Sequence, residues 1–477
     1  MDSIDTKKQS IKVIVSEAIM VVSVIITVVV LALLVSGYWV NSNFEVERNG
    51  MLQISSSPTG ATVTIDDVAS SWMERTNSSK ILSSGQHDVT LTKDGYDTWS
   101  KTINITEGLL YRLHYPRLFL QNRTKESIAD ISNYSMATVS PDRTRLLLIN
   151  NVAKWSIMRL DTDKPEMRSL DVSQIFASTG VAGQEEKLLS TDGILDLNWD
   201  LDSSHVLIKY QNKEQPEWIL LDIDDLSKSI NLSKEFGNSF TRIEIIDHNA
   251  NTLLAIRNGN LHKIDVPGRS LSTVLVENVS DFDHFNNEIL FSAMSPDDNH
   301  ANPANPEEQS YYIGYFRIGD SNIKQLEAMP APAKVAIGKF YDDKFAVIVK
   351  DLSIELHKLE DYEESVKQYS LSFIPEKLHV GHRGDYILFN QGQKIATLDL
   401  EINAIREWEI ESEFSWLDND MLYTVAEGDL IVYDFDGLNR RVIAHNVSSR
   451  YPASIVEDRW LYYFSDGNLV RELLLPE

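Results

Sequence analysis

One unit recurs eight times along the last three-quarters of this chain: an apolar strand, a polar turn and a second, denser apolar strand. Successive copies start roughly forty to sixty residues apart, a spacing typical of one supersecondary unit stacked many times. The copies lie at residues 137–149, 197–209, 243–256, 281–292, 336–349, 378–390, 414–425 and 454–464. The repeat therefore predicts an array rather than one ordinary core.

A third apolar strand follows every copy, and a variable fourth strand follows most of them. The third strands are predicted at 155–161, 217–223, 260–266, 311–317, 353–359, 394–400, 429–435 and 468–474. The fourth strands are predicted at 167–172, 229–233, 273–279, 324–329, 366–371, 405–410 and 440–445. Four antiparallel strands per repeat are typical of a propeller blade, whose faces are buried only against neighbouring blades.

The fold class that this pattern predicts is all-β outside one N-terminal helix, with an eight-bladed β-propeller over residues 121–477. The last repeat has no fourth strand after it, so we expect residues 124–131 to close the last blade and remove an exposed sheet edge. Seven blades are the alternative, if the fourth repeat, which carries an insertion, is irregular. The turn Ser140-Pro141-Asp142 resembles the turn of TolB-like propellers, whereas the marks of WD repeats do not recur.

An uncharged apolar segment occupies residues 18–40. Twenty-three helical residues would span about 34 Å, enough for a hydrocarbon layer of about 30 Å. Three lysines precede the segment, at Lys7, Lys8 and Lys12. The positive-inside rule then predicts a cytoplasmic tail (1–17), a single transmembrane helix and extracytoplasmic domains in the cell membrane. A cleaved signal peptide is the alternative, although its apolar region is usually shorter.

A stalk (41–49) and a small β domain (50–120) follow the apolar segment. Strands around Leu52 and Val63 are expected to fold back on each other at the turn 58–60, and a second hairpin covers 85–105. The motifs at 57–61, 63–66, 82–87 and 95–96 resemble those of the PEGA domain, a small β-sandwich. The resemblance implies an extracytoplasmic spacer without catalysis.

Composition narrows the function further. A net charge of −27 excludes nucleic acid as a plausible partner. The absence of cysteine rules out a disulfide framework, a thiol nucleophile and a zinc–thiolate site. No phosphate loop, dinucleotide fingerprint, hydrolase elbow or convincing metal-ligand pattern occurs, so we predict no enzyme, no catalytic residue, no metal and no cofactor.

Loops are expected to carry any function, because a rigid scaffold presents them. The two long connections, 178–193 and 294–310, are expected on one face of the ring. A tolerated insertion is the alternative interpretation of each. The candidate ligand-binding residues of this face are Asp192, Asp281, Asp283, His284 and Trp416. Packing of Trp416 between blades is the simpler interpretation of that residue.

The function predicted from these features is a membrane-anchored binding or scaffold protein of the cell surface. A PEGA-like spacer would present a propeller that binds a cell-wall glycan or another cell-envelope component, or a partner protein. The alternative is a glycan-acting propeller enzyme. It would need Asp192, Asp281 and Asp283 to converge, with a raised pKa on one carboxyl group.

Overall fold

The computed structural model describes residues 17–32 (apart from 18), 38–40, 46–69, 75–176, 189–211, 216–246, 248–295, 310–320, 322–363, 365–381 and 383–475. The chain divides into two compact units, residues 1–122 and 123–477. Nearly all of the regular structure in both is β. The two long connections predicted at 178–193 and 294–310 fall largely outside the described residues.

The apolar N-terminal segment is only partly helical. Residues 19–32 are helical and expose large apolar side chains. Within the described residues, no helix combines the length and the apolarity needed to cross a membrane. Residues 18 and 33–37, and all but one residue of the predicted tail 1–17, lie outside the described residues.

The prediction of a helix over residues 38–40 is wrong. Strand β1 (Tyr38–Val40) pairs antiparallel with β2 (Val46–Arg48), so part of the predicted stalk is also a strand. Aromatic and β-branched side chains favour extended backbone, which explains why a Tyr-Trp-Val run leaves the helix.

The rest of the first unit contains two further sheets. The three-stranded sheet has β3 in its centre, antiparallel to β6 and parallel to β9. The four-stranded sheet has the order β5-β4-β7-β8. The bounds are β3 (Gly50–Ile54), β4 (Thr62–Ile65), β5 (Val68–Ala69), β6 (Ser78–Leu82), β7 (Gly85–Thr92), β8 (Trp99–Ile105) and β9 (Leu110–Leu113).

The predicted pairing of β3 with β4 is wrong, because the two strands belong to different sheets. The turn around Pro58 moves the chain from one sheet to the other instead of closing a hairpin. Alternate residues of both strands, among them Leu52 and Val63, are fully buried, as is Trp99 on β8. The hairpin β7–β8 pairs as the sequence predicts, from Gly85 with Ile105 to Leu91 with Trp99.

Within its described residues, the second unit contains eight antiparallel four-stranded sheets, an arrangement compatible with a β-propeller. We number them sheets 1 to 8 in chain order. The first strands are β11 (Met136–Val139), β15 (Ile194–Trp199), β19 (Phe240–Ile245), β23 (Val279–Phe285), β27 (Lys334–Phe340), β31 (Lys377–Val380), β35 (Phe414–Trp416) and β39 (Ser454–Val456). The second strands are β12 (Arg145–Ile149), β16 (His205–Gln211), β20 (Thr252–Arg257), β24 (Glu288–Met294), β28 (Asp343–Lys350), β32 (Tyr386–Gln391), β36 (Met421–Ala426) and β40 (Trp460–Ser465).

The outer strands complete each sheet. The third strands are β13 (Lys154–Arg159), β17 (Pro216–Asp222), β21 (Asn260–Asp265), β25 (Tyr311–Arg317), β29 (Ser353–Lys358), β33 (Lys394–Asp399), β37 (Asp429–Asp434) and β41 (Asn468–Leu473). The fourth strands of sheets 1 to 7 are β14 (Met167–Asp171), β18 (Ile230–Asn231), β22 (Ser270–Leu271), β26 (Lys324–Met329), β30 (Ser365–Ser370), β34 (Ala404–Glu409) and β38 (Arg441–His445). One short helix, α1 (Leu232–Phe236), follows β18.

Sheet 8 takes its fourth strand from the start of the second unit. Strand β10 (Lys125–Asp130) pairs antiparallel with β41, and it lies within the segment 124–131 that was assigned to the last blade. Two ion pairs flank this pairing: Arg123 Nε lies 2.7 Å from Glu472 Oε2, and Arg471 Nε lies 2.7 Å from Glu126 Oε2. The first and last strands of the unit are therefore neighbours.

Each sheet of the second unit packs against the next, and sheet 8 packs against sheet 1. Shared apolar clusters join sheets 1 to 6 in sequence. Tyr386 of sheet 6 stacks on Phe435 of sheet 7, and the hydroxyl of Tyr423 in sheet 7 accepts the N–H of Ala453 just before sheet 8. A further cluster joins Leu148 of sheet 1 to residues of sheet 8.

Burial follows from this packing. The second strands are almost continuously buried, because neighbouring sheets cover both of their faces. The fourth strands are mostly exposed, as in β34. Three sequence-based details differ. The fourth strand of sheet 2 covers only residues 230–231 of the predicted 229–233, because residues 232 and 233 begin α1. The fourth strand of sheet 3 is β22 rather than residues 273–279, and the fourth repeat is a regular sheet despite its insertion.

Candidate functional site

A cavity of about 950 Å³ lies along the first strands of sheets 2 to 6, and we call it the first-strand cavity. Its lining includes Pro332, Ala333 and Glu376, which precede β27 and β31. The cavity therefore lies toward the end where first strands begin, on the side of the connections from the previous sheets. The lining residues are Asp196, Asn198, Arg242, Glu244, Ser280, Asp281, Asp283, Pro332, Ala333, Lys334, Val335, Ala336, Glu376, Lys377, Leu378, His379 and Val380.

The polar lining follows from strand geometry. Successive side chains of a strand point to opposite sides, so residues two apart share one side. Asp196 and Asn198 on β15, Arg242 and Glu244 on β19, and the pair 281 and 283 on β23 obey this period and line the same cavity. Their carboxyl groups form an acidic wall (Asp196, Glu244, Asp281 and Asp283) across sheets 2 to 4.

Arg242 is the cation of the acidic wall. Its Nε donates to Glu244 Oε1 at 2.6 Å, and its Nη1 donates to Asp281 Oδ1 at 2.7 Å. The guanidinium also lies over the ring of Phe282, with Cζ 4.2 Å from the ring centroid. One guanidinium thus bridges sheets 3 and 4, while four carboxyl groups share the wall.

Burial disfavours the charged form of two of these carboxyl groups. It raises the pKa of Asp283 to about 7, and the nearby Glu244 carboxylate adds to the shift. It also raises the pKa of Glu244, although Arg242 opposes that shift. The wall consequently holds a carboxyl group that exchanges a proton near neutral pH.

Two carboxyl groups of the wall also bind backbone across the gap to sheet 5. Asp281 Oδ2 accepts the N–H of Val335 at 3.0 Å, and Asp283 Oδ2 accepts the N–H of Ile337 at 2.7 Å. Alternate residues of β23 therefore satisfy alternate N–H groups of β27. These bonds fix where both carboxyl groups stand, and they give each group a structural role.

His284 occupies the opposite side of β23 from its two aspartate neighbours. Its Nε2 lies 3.7 Å from Glu244 Oε2. Burial, helped by the nearby Arg242 charge, lowers the pKa of His284 to about 4. The imidazole is therefore neutral at physiological pH. It lies next to Glu244 of the acidic wall but adds no charge to the cavity.

The side of the cavity formed by sheets 5 and 6 carries the opposite charge, and we call it the basic wall (Lys334, Lys377 and His379). Lys334 Nζ donates to the backbone carbonyl of Glu376. Lys377 is exposed and makes no ion pair with any described residue. Burial lowers the pKa of His379, whose Nε2 lies 3.2 Å from Asn390 Oδ1, so Lys377 is the cation available to a ligand.

The structure separates the five residues chosen from the sequence. Asp281 and Asp283 line the cavity together, with His284 next to them. Asp192 is exposed in the turn Thr191–Gly193, before the lining of sheet 2 begins at Asp196. Trp416 packs instead between sheets 6 and 7, where Cζ2 would lie 3.8 Å from a Cβ atom on Gly381.

Sequence reasoning missed Asp196, Arg242, Glu244 and Lys377. The first three could have been found from their spacing, because charged or polar residues occupy every second position in otherwise apolar first strands. Residues two apart point to the same side of a strand, so such a pattern indicates that this side borders a polar surface or cavity. Lys377 is the first residue of β31, and no such pattern in the sequence points to it.

A second group of polar side chains, in sheets 4 and 5, has the ligand types of a metal site. Atoms of Glu327, Glu355 and His357 lie within 4.8 Å of one another. However, Lys350 Nζ lies 2.7 Å from Glu327 Oε1 and 2.6 Å from Glu355 Oε2. The lysine ammonium already pairs with both carboxylates, so the group is an ion-pair cluster.

Comparison with known families assigns the first unit. Residues 49–117 match the PEGA domain, which agrees with the resemblance found at residues 50–120. This part of the chain is therefore a PEGA domain. A comparison with curated protein sequences gives no match.

Solved structures resemble the chain at a low level. An oligogalacturonate lyase in complex with manganese has 12% identity and a TM-score of 0.39, covering 64% of this chain and 95% of the lyase. Oligogalacturonate lyase from Vibrio parahaemolyticus has 10% identity and a TM-score of 0.38, covering 58% and 88%. Kluyveromyces lactis Hsv2 has 7% identity and a TM-score of 0.40, covering 63% and 92%. Similarity at this level carries no argument about what the present protein binds or does.

Proposed function

We propose that this protein is a membrane-anchored binding protein whose second unit is an eight-bladed β-propeller. Eight four-stranded sheets that pack in a closed series, with β10 beside β41, support the propeller. The PEGA domain serves as a spacer between the anchor and the binding unit. The ligand is a component of the cell envelope or a partner protein.

The first-strand cavity is the observation that carries the binding function. Five neighbouring sheets contribute to it, and its volume of about 950 Å³ is within the usual range of ligand pockets. Charged side chains of both signs line it, and several have their positions fixed by hydrogen bonds. A preorganised polar cavity of this kind favours specific binding of a small or extended ligand.

A cavity-filling substitution tests this proposal. Asn198→Trp places an indole into the cavity from the exposed part of β15, whereas Leu195→Trp changes an exposed leucine of the same strand outside the lining. The detergent-solubilised chain and both variants are incubated with isolated envelope fragments and sedimented. We expect wild type and Leu195→Trp to be retained and Asn198→Trp to be released. Equal retention of all three would exclude the cavity as the binding site.

The membrane anchor rests on the apolar residues that precede β1, from residue 18 to residue 37, and on the lysines before them. The proposed orientation places the N-terminus in the cytoplasm and both units outside. Membranes from cells that express the protein are washed with alkaline carbonate and treated with protease before and after permeabilisation. The proposal expects wash-resistant protein whose second unit is cleaved from outside. Complete release by the wash would rule out the anchor.

The set of carboxyl groups expected for a glycan-acting enzyme does not form, because Asp192 lies outside the lining of the cavity. The enzyme is kept as the second candidate because Glu244 joins Asp281 and Asp283 in the cavity, where the pKa of Asp283 is raised to about 7. A carboxyl group of that pKa can donate a proton at neutral pH. The test is incubation with acidic and neutral oligosaccharides, followed by product analysis. Cleavage that Asp283→Asn abolishes would establish the enzyme, and no cleavage by the wild-type protein would remove this candidate.

A further inference from the structure

The two walls of the first-strand cavity differ in charge. Sheets 2 to 4 supply four carboxyl groups and only Arg242 as a cation, whereas sheets 5 and 6 supply Lys334 and Lys377. Charge is thus separated across one cavity. The ligand that complements such a volume carries a cation at one end and an anion at the other.

The acidic wall has four carboxyl groups and one cation, Arg242. Arg242 binds Glu244 and Asp281, which leaves Asp196 and Asp283 without an ion-pair partner among the described residues. Among the described residues, Asp196 receives hydrogen bonds from Leu197 N–H and the amide of Asn198. A ligand ammonium on this wall would supply a counter-charge in addition to Arg242.

The basic wall has one cation to offer. Lys334 is held by the backbone carbonyl of Glu376, while Lys377 is exposed and unpaired within the described part of the chain. The side chain of Glu376 also borders this wall, so the local surplus of positive charge is small. Lys377 is therefore suited to a single carboxylate rather than to a polyanion.

We propose that the first-strand cavity binds a short peptide, with an ammonium group on the acidic wall and a carboxylate against Lys377. This inference rests on the proposed binding function and names the chemistry of its ligand. A peptide supplies both charges, and its backbone adds donors and acceptors that match Asn198 and Ser280 on the lining. The cavity volume is sufficient for a few residues.

The probe is the tripeptide Ala-Lys-Ala, compared with its C-terminal amide and with a form acetylated on both amines. Binding to the full chain is measured by calorimetry at pH 7. Each modification should weaken binding about tenfold or more, because each removes a charge-assisted hydrogen bond. Tighter binding of the amide than of the free acid would overturn the proposal, as would no binding of the unmodified peptide.

Two substitutions assign the ends of the peptide. Lys377→Gln should remove the difference between acid and amide, and Asp196→Asn should reduce the difference between free and acetylated peptide. Lys394→Gln, exposed on β33 of the same sheet as Lys377, and Asp192→Asn, exposed outside the lining, are the matched controls. Unchanged discrimination in both test variants would refute the assignment of the two walls.

Proton release supplies a second readout. An ammonium bound beside Asp283 favours the ionised carboxylate, so binding near pH 7 should release protons. Calorimetry in buffers of different ionisation enthalpy measures the number of protons released on binding. Asp283→Asn retains an acceptor for Ile337 N–H and should lower the number of protons released. No proton release by the wild-type protein would contradict the placement of the ammonium.

Failure of this inference is distinguishable from failure of the proposed function. Retention on envelope fragments that depends on the cavity, with no binding of Ala-Lys-Ala, would leave the binding function intact and reject the peptide. If Asn198→Trp keeps both its retention on envelope fragments and its binding of Ala-Lys-Ala, the cavity is rejected as the site of either interaction.

Discussion

His87 lies between two acceptors in the PEGA domain. Its Nδ1 is 2.7 Å from Asp66 Oδ2, and its Nε2 is 2.9 Å from the carbonyl oxygen of Ser83. Burial lowers the pKa of His87, but the bonds to Asp66 and Ser83 outweigh burial, so the net pKa is raised. Both ring nitrogens therefore donate when the imidazole is protonated, which ties β7 to the turn between β4 and β5.

This pair predicts a pH-dependent stability of the first unit. A raised pKa means that the stabilisation is complete below the ordinary value of 6.5 and is lost as the pH rises through the folded value. Asp66→Asn, which retains an acceptor for Asp88 N–H, should lower the free energy of unfolding by about 0.5–1 kcal/mol at pH 5.5 and by less at pH 8. Asp67→Asn, in the same turn, is the control, and denaturant titrations at both pH values are the measurement. Equal losses at both pH values would contradict an ionised pair.

Asp283 predicts a pH dependence in the second unit. Its pKa is raised from 3.8 to about 7, so the protonated form stabilises the fold at low pH, and this contribution is lost as the pH rises through about 7. Asp283→Asn stays neutral and should flatten the fall in melting temperature between pH 5 and pH 7.5. Exposed Asp192→Asn serves as the reference. If the melting temperature of Asp283→Asn falls with pH as steeply as that of the wild type, the fall is caused by other groups, of which Glu244 is the first to test.

At this scale the sequence predicts part of the site. Asp281 and Asp283 stand two apart in an apolar strand, a pattern that requires a polar side, and both line the cavity. The link to Arg242 could not be predicted, because that residue lies 39 positions away on another sheet. Asp192 was chosen for its place in a long connection, and nothing in the connection indicates how far from the cavity it lies.

Among the elements, sheet 7 contains two glycines with similar backbone and different surroundings. Gly437 has φ +78 and follows β37, and Gly428 has φ +85 in the turn between β36 and β37. A Cβ atom on Gly437 would lie 2.3 Å from Trp408 Cδ2, whereas a Cβ atom on Gly428 would meet nothing within 4 Å. The contact of Gly437 with Trp408 holds sheet 7 against sheet 6.

Comparison of the two glycines predicts how much stability is lost when a methyl group is added at the contact between sheets 6 and 7. Gly428→Ala should destabilise the second unit by about 1 kcal/mol through the unfavourable φ alone. Gly437→Ala has the same φ cost and must also displace an indole, which adds about 1–3 kcal/mol. Chemical denaturation monitored by tryptophan fluorescence measures both. Equal losses would show that Trp408 moves aside freely.

The junction of sheets 8 and 1 joins the two ends of the second unit. Leu469 on β41 is 1% exposed and belongs to the apolar cluster shared by these two sheets. Leu469→Ala should cost about 2–5 kcal/mol, because it leaves a cavity in a well-packed core. Leu195→Ala, at a leucine that is 53% exposed, should change stability by about 0.5 kcal/mol or less. A small effect of Leu469→Ala in thermal unfolding would argue against tight packing at the junction.

Strand order was predictable where apolar patterns were long. Most fourth strands match, including Lys324–Met329, but the two-residue β22 carries no pattern of its own. The apolar run 273–279 gives the stronger strand pattern and was therefore the predicted fourth strand of sheet 3. In the structure, Val276 of this run forms an isolated bridge to Leu261. In the PEGA domain, a turn sequence was read as a hairpin, although a similar turn can transfer the chain between sheets.

For the whole molecule, the acidic composition sets the dependence on salt. The chain has 71 acidic and 44 basic residues besides histidine, giving a net charge of −27. Repulsion between like charges destabilises the compact state, and salt screens it. The repeat of four-stranded sheets was predictable from the chain because the same strand–turn–strand pattern recurs in every copy. The charge separation across the cavity was not predictable, because it depends on which strands become neighbours in space.

Raising sodium chloride from about 0.01 M to 0.2 M should increase the melting temperature by roughly 1–3 °C, because the screening length falls from about 30 Å to less than 10 Å. Scanning calorimetry at constant pH measures the shift, with potassium chloride of equal ionic strength as a control for ion identity. A lower melting temperature at high salt would mean that ion pairs such as Arg123–Glu472 outweigh the net repulsion.

The pairing of β10 with β41 has a consequence for biosynthesis. Glu126 and its partner Arg471 are 345 residues apart. At about 5–20 residues per second, a ribosome needs roughly 20–70 s to make the intervening chain. During that time β10 has a free edge and no partner strand, while the early sheets can already assemble. The nascent protein must keep this edge from pairing with other chains, and charged side chains such as Lys125 and Glu126 on β10 are suited to that task.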